Sequence, residues 1–154
     1  MVPAELQQYF GTDPRRFAGY NNLTHRLKPF VAIPTTAGTG SEVTAISVIK
    51  DREAGSKTFF FSQFLLPDVA VLDPRMTLKL PPMITAATAM DALTHAIESY
   101  IGVWERGSRL EDGRIAVKLI FKHLARAYTS GDDLAAREGM ALAAYYAGMA
   151  INQV

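Results

Sequence analysis

The 154 residues are 49% hydrophobic, with 16 basic and 15 acidic side chains and a net charge of +1. A chain of this length hides roughly 70% of its unfolded surface, and the even spread of charge excludes a nucleic-acid stripe or a charged tail, leaving small molecules or other protein chains as partners. Without cysteine there is no disulfide, thiolate zinc site or cysteine nucleophile, so Asp, Glu and His are the metal-binding side chains left. That usage fits a reducing cytoplasm, and neither a signal-like start nor an apolar run of about 18 residues points to export or a membrane.

Residues 1–29 mix Gly, Pro, Asn and Arg without a sustained period; ELQQYF is compatible with a short helix and GTDP with a turn. FVAIP, residues 30–34, is an apolar run closed by proline and predicts a buried strand. AISVIK (45–50) and KTFFFS (57–62) flank the polar DREAGS and predict a hairpin. DVAVLDP adds a strand over 69–72, stopped by Pro74. From Pro81 onward helical spacing replaces alternation. A first helix opens on PPM, where a first turn tolerates proline, and ends at Gly102. A second covers Arg109 to Tyr128 with Leu110, Ile115, Leu119 and Leu124 among its apolar positions, and a third follows TSGDD. That third helix is apolar on nearly every face toward its end, which calls for burial on all sides. The order predicts an α/β segment, residues 1–74, followed by an all-α segment of three helices, residues 75–154.

Two places concentrate chemistry. PTTAGTGSEVT, residues 34–44, sets four threonines, a serine and two glycines behind a strand. Hydroxyls and exposed amides there suit phosphate or ribose oxygens, and glycine allows close backbone approach to a ligand. An ordinary polar turn is the alternative, since no GxGxxG or GxxxxGK[ST] pattern is present. Asp91 and His95 stand at i and i+4, so a helix carries both on one face. They read either as two ligands of a divalent ion, which needs more donors to be complete, or as a bonded helix pair with a packed histidine. His25 and His123 read as solvated, and Lys57 as a solvated strand-end lysine or a ribose or phosphate contact. Phe59, Phe60, Phe61, Phe64, Trp104, Tyr145 and Tyr146 read as packing.

Taken together, IPTTAGTGSEVT and the later LPPMITAATAMDALTHAIESY resemble the iron-containing (group III) alcohol dehydrogenases, with a likeness running from Pro29 through AREGMALAAYYAGMAINQV to the last residue. The resemblance implies a dehydroquinate synthase-like fold, in which an α/β domain binds NAD or NADP, a helical domain holds Fe2+ or Zn2+, and the active site lies between them. Asp91 and His95 then match the first two of four metal ligands. Thr35 and Thr36 match cofactor-contacting threonines, Thr44 and Lys57 match residues of the nicotinamide ribose region, and Ile46 and Met76 fall at further cofactor contacts whose identity varies. In that scheme the metal polarises the oxygen of a small alcohol or aldehyde while hydride passes between carbon and nicotinamide. The implied parent is a cytoplasmic homo-oligomer. The chain departs from the family in lacking a GGGS-type pyrophosphate loop and the VHAIAH-type segment with two further histidines, and in carrying Ala89 in place of glycine. These departures lead to the expectation of an internal fragment with little or no activity of its own. Glycerol dehydrogenase or maleylacetate reductase chemistry on the same fold, and a non-catalytic helical interaction module, are the alternatives.

Overall fold

The computed structural model describes residues 17–24, 26–50, 55–102 and 108–152, so the readings made for 1–16, His25 and Trp104 lie outside the described residues. In chain order the elements are β1 (Gly19–Tyr20), β2 (Val31–Ala32), β3 (Ile46–Lys50), β4 (Lys57–Phe61), β5 (Val69–Ala70), α1 (Pro82–Ile101), α2 (Ser108–Thr129) and α3 (Leu134–Ile151). Short 3-10 turns sit at Ser41–Val43, Gln63–Leu65 and Pro74–Thr77.

The hairpin forms as its sequence predicts, with β3 antiparallel to β4 and Ile46 opposite Phe61 at one end, Lys50 opposite Lys57 at the other. The two-residue β1, too short to carry a periodic signal, lies parallel to β4. Alternation along β4 divides its phenylalanines between the two faces. Phe60 is buried with Leu23, Leu27 and Leu65, while Tyr20 sets its ring against Phe59 and Phe61 with centroids 5.5 and 5.3 Å apart.

The other two predicted strands pair in parallel, Val31 with Val69 and Ala32 with Ala70, but are only two residues long. They are also not buried: Val31, Ile33, Val69 and Val71 are exposed. Parallel strands are buried when further strands and helices cover both faces, and among the described residues each has one partner strand. Asp68 staples the pair to the preceding segment, accepting the Phe30 N–H at 2.9 Å and an Arg26 guanidinium N–H. Those bonds, the Phe30 one first, hold its carboxyl below the usual range.

The helical segment follows the sequence closely. Pro82 occupies the first turn of α1, and Gly102 ends it by donating its N–H to the Glu98 carbonyl. Asp133 caps α3 by accepting the Ala136 N–H at 3.0 Å, and also pairs with Arg126 of α2. The core is built largely from alanine: Ala89, Ala92 and Ala96 of α1, Ala116 and Ala127 of α2, Ala136, Ala143, Ala144 and Ala147 of α3, filled out by Ile120 and Met140. Small side chains let helix axes come close. Leu119, Leu124 and Tyr146 pack around this core, and α3 is buried along most of its faces. No helix among the described residues is long and apolar enough to cross a membrane.

A buried cation locks the helices together. Arg137 on α3 is 2% exposed. It donates to the Gly131 carbonyl at 2.8 Å, the Thr85 hydroxyl at 2.7 Å and the Leu80 carbonyl at 3.2 Å. One guanidinium thereby joins the turn before α3, the first turn of α1 and the segment leading into it.

His123 corrects a sequence reading. Its neighbours in FKHLAR suggest a solvated ring, yet the imidazole lies against Gly139, where an added Cβ would come within 2.3 Å of it. Its Nδ1 is buried without a hydrogen-bond partner among the described residues. Burial, then Lys122 and Arg126, push its pKa below the ordinary value, with Asp133 opposing. Protonation is therefore easier in the unfolded chain, so this residue's contribution to stability is complete above about pH 6.5 and lost as pH falls through the lower folded value. Urea midpoints measured across that window decline toward acid in the parent protein. In His123→Phe, which keeps a ring over Gly139 but cannot titrate, that part of the decline disappears; parallel pH profiles for the two proteins would rule His123 out as its source.

Candidate metal and cofactor site

The helix α1 presents Asp91 and His95 on one face, one turn apart. His95 Nε2 lies 3.8 Å from Asp91 Oδ1. That is too long for a hydrogen bond but less than twice a metal–ligand bond of about 2.1 Å, so one ion fits between the atoms. The bonded helix pair is not formed. His95 is the more enclosed partner, its side chain 23% exposed against 45% for Asp91. Its Nδ1 is buried and lacks a hydrogen-bond partner among the described residues, where a metal-bound imidazole usually donates to an outer acceptor. No cluster of three potential ligands occurs among the described residues. The donor set thus suits a divalent ion in chemistry and spacing, and is incomplete in number.

The threonine loop is wedged against two helices. Gly38 approaches α1 so closely that a Cβ would sit 2.5 Å from the Thr88 carbonyl oxygen. Gly40, at φ +60°, would place one 2.6 Å from the α carbon of Gly148 on α3. The glycines read as making room for a ligand therefore make room for helices. Thr88 precedes Asp91 by three residues, so the loop meets α1 about one turn, roughly 5 Å, from the ligand pair. Within the loop the exposed Thr39 bonds to Ser41, its hydroxyl donating to the Ser41 hydroxyl at 3.0 Å and accepting the Ser41 N–H at 3.3 Å.

The sequence-predicted cofactor residues are not all gathered. Thr35 is exposed, Thr36 half-buried and Thr44 buried along one loop, and half-buried Ile46 opens β3 directly after it. Lys57 is exposed and pairs with Lys50 at the hairpin end away from Ile46, roughly 13 Å along the strand at about 3.3 Å per residue. Met76 is exposed on the 3-10 turn before α1. An open groove of about 900 Å³ lies elsewhere, between Phe64, Asp68, Glu42, Tyr145 and Asn152, and none of the eight predicted site residues lines it. Its size alone is no reason to prefer it to the Asp91–His95 face, which carries paired donors. Glu42 on its wall is 4% exposed, and burial raises its carboxyl pKa despite its own N–H.

Sequence reasoning missed Asn152. Its carboxamide oxygen accepts the Ala45 N–H at 3.2 Å and its nitrogen donates to the Val43 carbonyl at 2.8 Å. The nearest signal was a polar residue closing an apolar helix; its partners lie more than a hundred residues earlier.

Short strands, with the hydroxyl-rich loop between β2 and β3, precede a three-helix segment, and iron-containing alcohol dehydrogenase structures share this arrangement, which is that of the dehydroquinate synthase-like fold class. Residues 4–74 match the family model described as iron-containing alcohol dehydrogenase, and residues 85–154 match that described as Fe-containing alcohol dehydrogenase family, C-terminal. The chain belongs to the iron-containing alcohol dehydrogenase family, a family of oxidoreductases. It is 47% identical over 129 residues to 1-propanol dehydrogenase PduQ of Salmonella typhimurium, covering 82% of this chain and 34% of that protein. With the NAD-dependent methanol dehydrogenase of Bacillus methanolicus it shares 42% identity over 136 residues, 88% of this chain and 36% of the relative. The alcohol dehydrogenase from Oenococcus oeni superimposes with a TM-score of 0.92 at 38% identity, over 98% of this chain and 39% of that one. The chain thus spans about a third of the length of the curated relatives it matches.

The glycine contacts can be separated from glycine's conformational freedom. Gly55 also has positive φ, +64°, but nothing lies within 4 Å of an added Cβ. Gly55→Ala should lose about 1 kcal/mol for backbone strain alone, and Gly40→Ala about 3 kcal/mol because the new methyl also meets α3. Equal losses in chemical denaturation would remove the packing role given to Gly40.

Proposed function

We propose that these residues form part of an NAD(P)-dependent, iron-containing alcohol dehydrogenase that interconverts a small alcohol and its aldehyde or ketone by hydride transfer. The observation that carries this reading is the Asp91–His95 pair, two metal-type donors 3.8 Å apart on one helix face, in a chain of that family. On this reading residues 1–74 belong to the cofactor-binding part and residues 75–154 to the metal-binding part of a cytoplasmic homo-oligomer. A relative named as NAD-dependent supports the nicotinamide cofactor, and the family name supports iron, with Zn2+ as the other ion these donors suit.

Asp91 provides an anionic oxygen and His95 an imidazole nitrogen, a set matched to divalent first-row ions. When bound, such an ion supplies Lewis acidity toward an alcohol or carbonyl oxygen. Because both donors leave one helix, backbone geometry sets their separation in advance, which favours a site that is pre-organised in this half. The accessible hydroxyls of Thr35 and Thr36 can donate to and accept from cofactor oxygens. Thr44 and Lys57 are assigned to the nicotinamide ribose region, and Ile46 and Met76 to further cofactor contacts.

Two donors hold an ion weakly. Calorimetric titration of the purified chain with Zn2+ should show a weak site whose affinity falls by about tenfold or more in Asp91→Ala and in His95→Ala, with no detectable NAD-dependent alcohol oxidation. Undiminished binding in both variants would take the metal role away from the pair. Alcohol oxidation that requires added Fe2+ and vanishes in His95→Ala would show that these two ligands suffice.

A further inference from the structure

We infer that Asn152 is a positioning residue for the cofactor loop, fixing the backbone on both sides of Thr44 from the end of α3. The inference rests on the proposed cofactor role of Thr44 and adds to it the element that sets that residue's place.

The geometry is specific. Asn152 is 7% exposed, and its backbone N–H donates to the Gly148 carbonyl at 3.1 Å, closing α3. The side chain spans the backbone of the loop, with Oδ1 accepting from Ala45 N at 3.2 Å and Nδ2 donating to Val43 O at 2.8 Å. One acceptor and one donor meet one donor and one acceptor, so only this orientation of the amide satisfies both. The other ends of the same segment are also held. Val43 N donates to Gly40 O at 3.1 Å, and Ala45 O accepts from Ser62 N at 3.0 Å. Thr44 therefore sits between two pinned residues, in extended backbone at φ −114° and ψ 147°.

The clamp continues a contact stripe. Ala144, Gly148 and Asn152 recur every four residues on α3, so they share one face. Gly40 lies on the first two, and Val43 and Ala45 lie on the third. Gly40 and Gly148 set how near the loop stands, while the carboxamide sets its register along the helix. A hydrophobic residue at 152 could preserve the approach but not the register.

The test compares NADH affinity, read by fluorescence titration, with hydrogen exchange at the Ala45 amide in the same chain. Four proteins are needed: the unsubstituted chain, Asn152→Ala, Thr44→Ala, and Ile120→Ala as a control that destabilises the helical core from α2, off the helix that carries the contact stripe. The expected result is NADH binding weakened by about tenfold, one charge-free pair of hydrogen bonds lost, in Asn152→Ala and in Thr44→Ala. Ala45 exchange should quicken in Asn152→Ala, while Ile120→Ala lowers the melting temperature and leaves NADH affinity in place. Weakened binding in Thr44→Ala with unchanged binding in Asn152→Ala would overturn the inference and leave the cofactor reading standing. Unchanged binding in Thr44→Ala would overturn that reading. If the unsubstituted chain alone does not bind NADH, the Ala45 exchange decides the clamp: quickened exchange in Asn152→Ala supports it and unchanged exchange overturns it.

Discussion

The contact on which the arrangement depends is the approach of Gly40 to Gly148. A Cβ on either residue would come within 3 Å of the other's backbone, so loop and helix meet main chain to main chain. The same loop touches α1 through Gly38. It acts as a wedge between two helices that are themselves joined through alanine contacts. Close packing of this kind has little tolerance for added volume, and the small residues of α3 follow from it. They make that helix apolar and small on nearly every face because it has neighbours on nearly every face.

Two buried polar side chains give the packing a single register where apolar contacts alone would allow sliding. Arg137 holds the start of α3 to the segment before α1 and to Thr85. Asn152 holds its end to the loop. Each meets acceptors or donors that would otherwise be buried unpaired, and an unpaired group is costlier than the bond itself is favourable. Glu42 is also buried, at 4% exposure, and desolvation works against its charged form as it does against that of Arg137.

The helices were legible in the sequence because long apolar periods survive any tertiary context, and their ends fall where Pro82, Asp133 and Gly102 place them. The hairpin was legible for the corresponding reason at period two. Less could be read from FVAIP and DVAVLDP: an apolar run indicates that a strand wants cover, not whether cover is at hand, and Val31, Ile33, Val69 and Val71 are exposed. The spacing of Asp91 and His95 gave their shared face, while the family resemblance, not the spacing, gave their role. Gly38 and Gly40 were recognised as close-approach residues, but the approaching partner was hidden, since Thr88 and Gly148 lie far along the chain. His123 failed for the same reason: charged neighbours in sequence concealed Gly139 in space. Local pattern reports what a residue tolerates, and only the fold reports what it meets.

That distinction bears on how the two halves of the candidate site are related. Asp91 and His95 are fixed relative to each other by one helix, whereas the threonine loop is fixed to that helix only by packing. Gly38 sets the loop's contact with α1 one turn before Asp91, and α3 sets its other end. Any displacement of α3 against α1 must then shift the loop relative to the ligand pair, because the wedge touches both. Their shared interface is alanine-lined and closed by Arg137, features that resist such displacement. The interhelical packing thus governs the distance between donor pair and hydroxyl loop, which the proposed hydride transfer would need held constant.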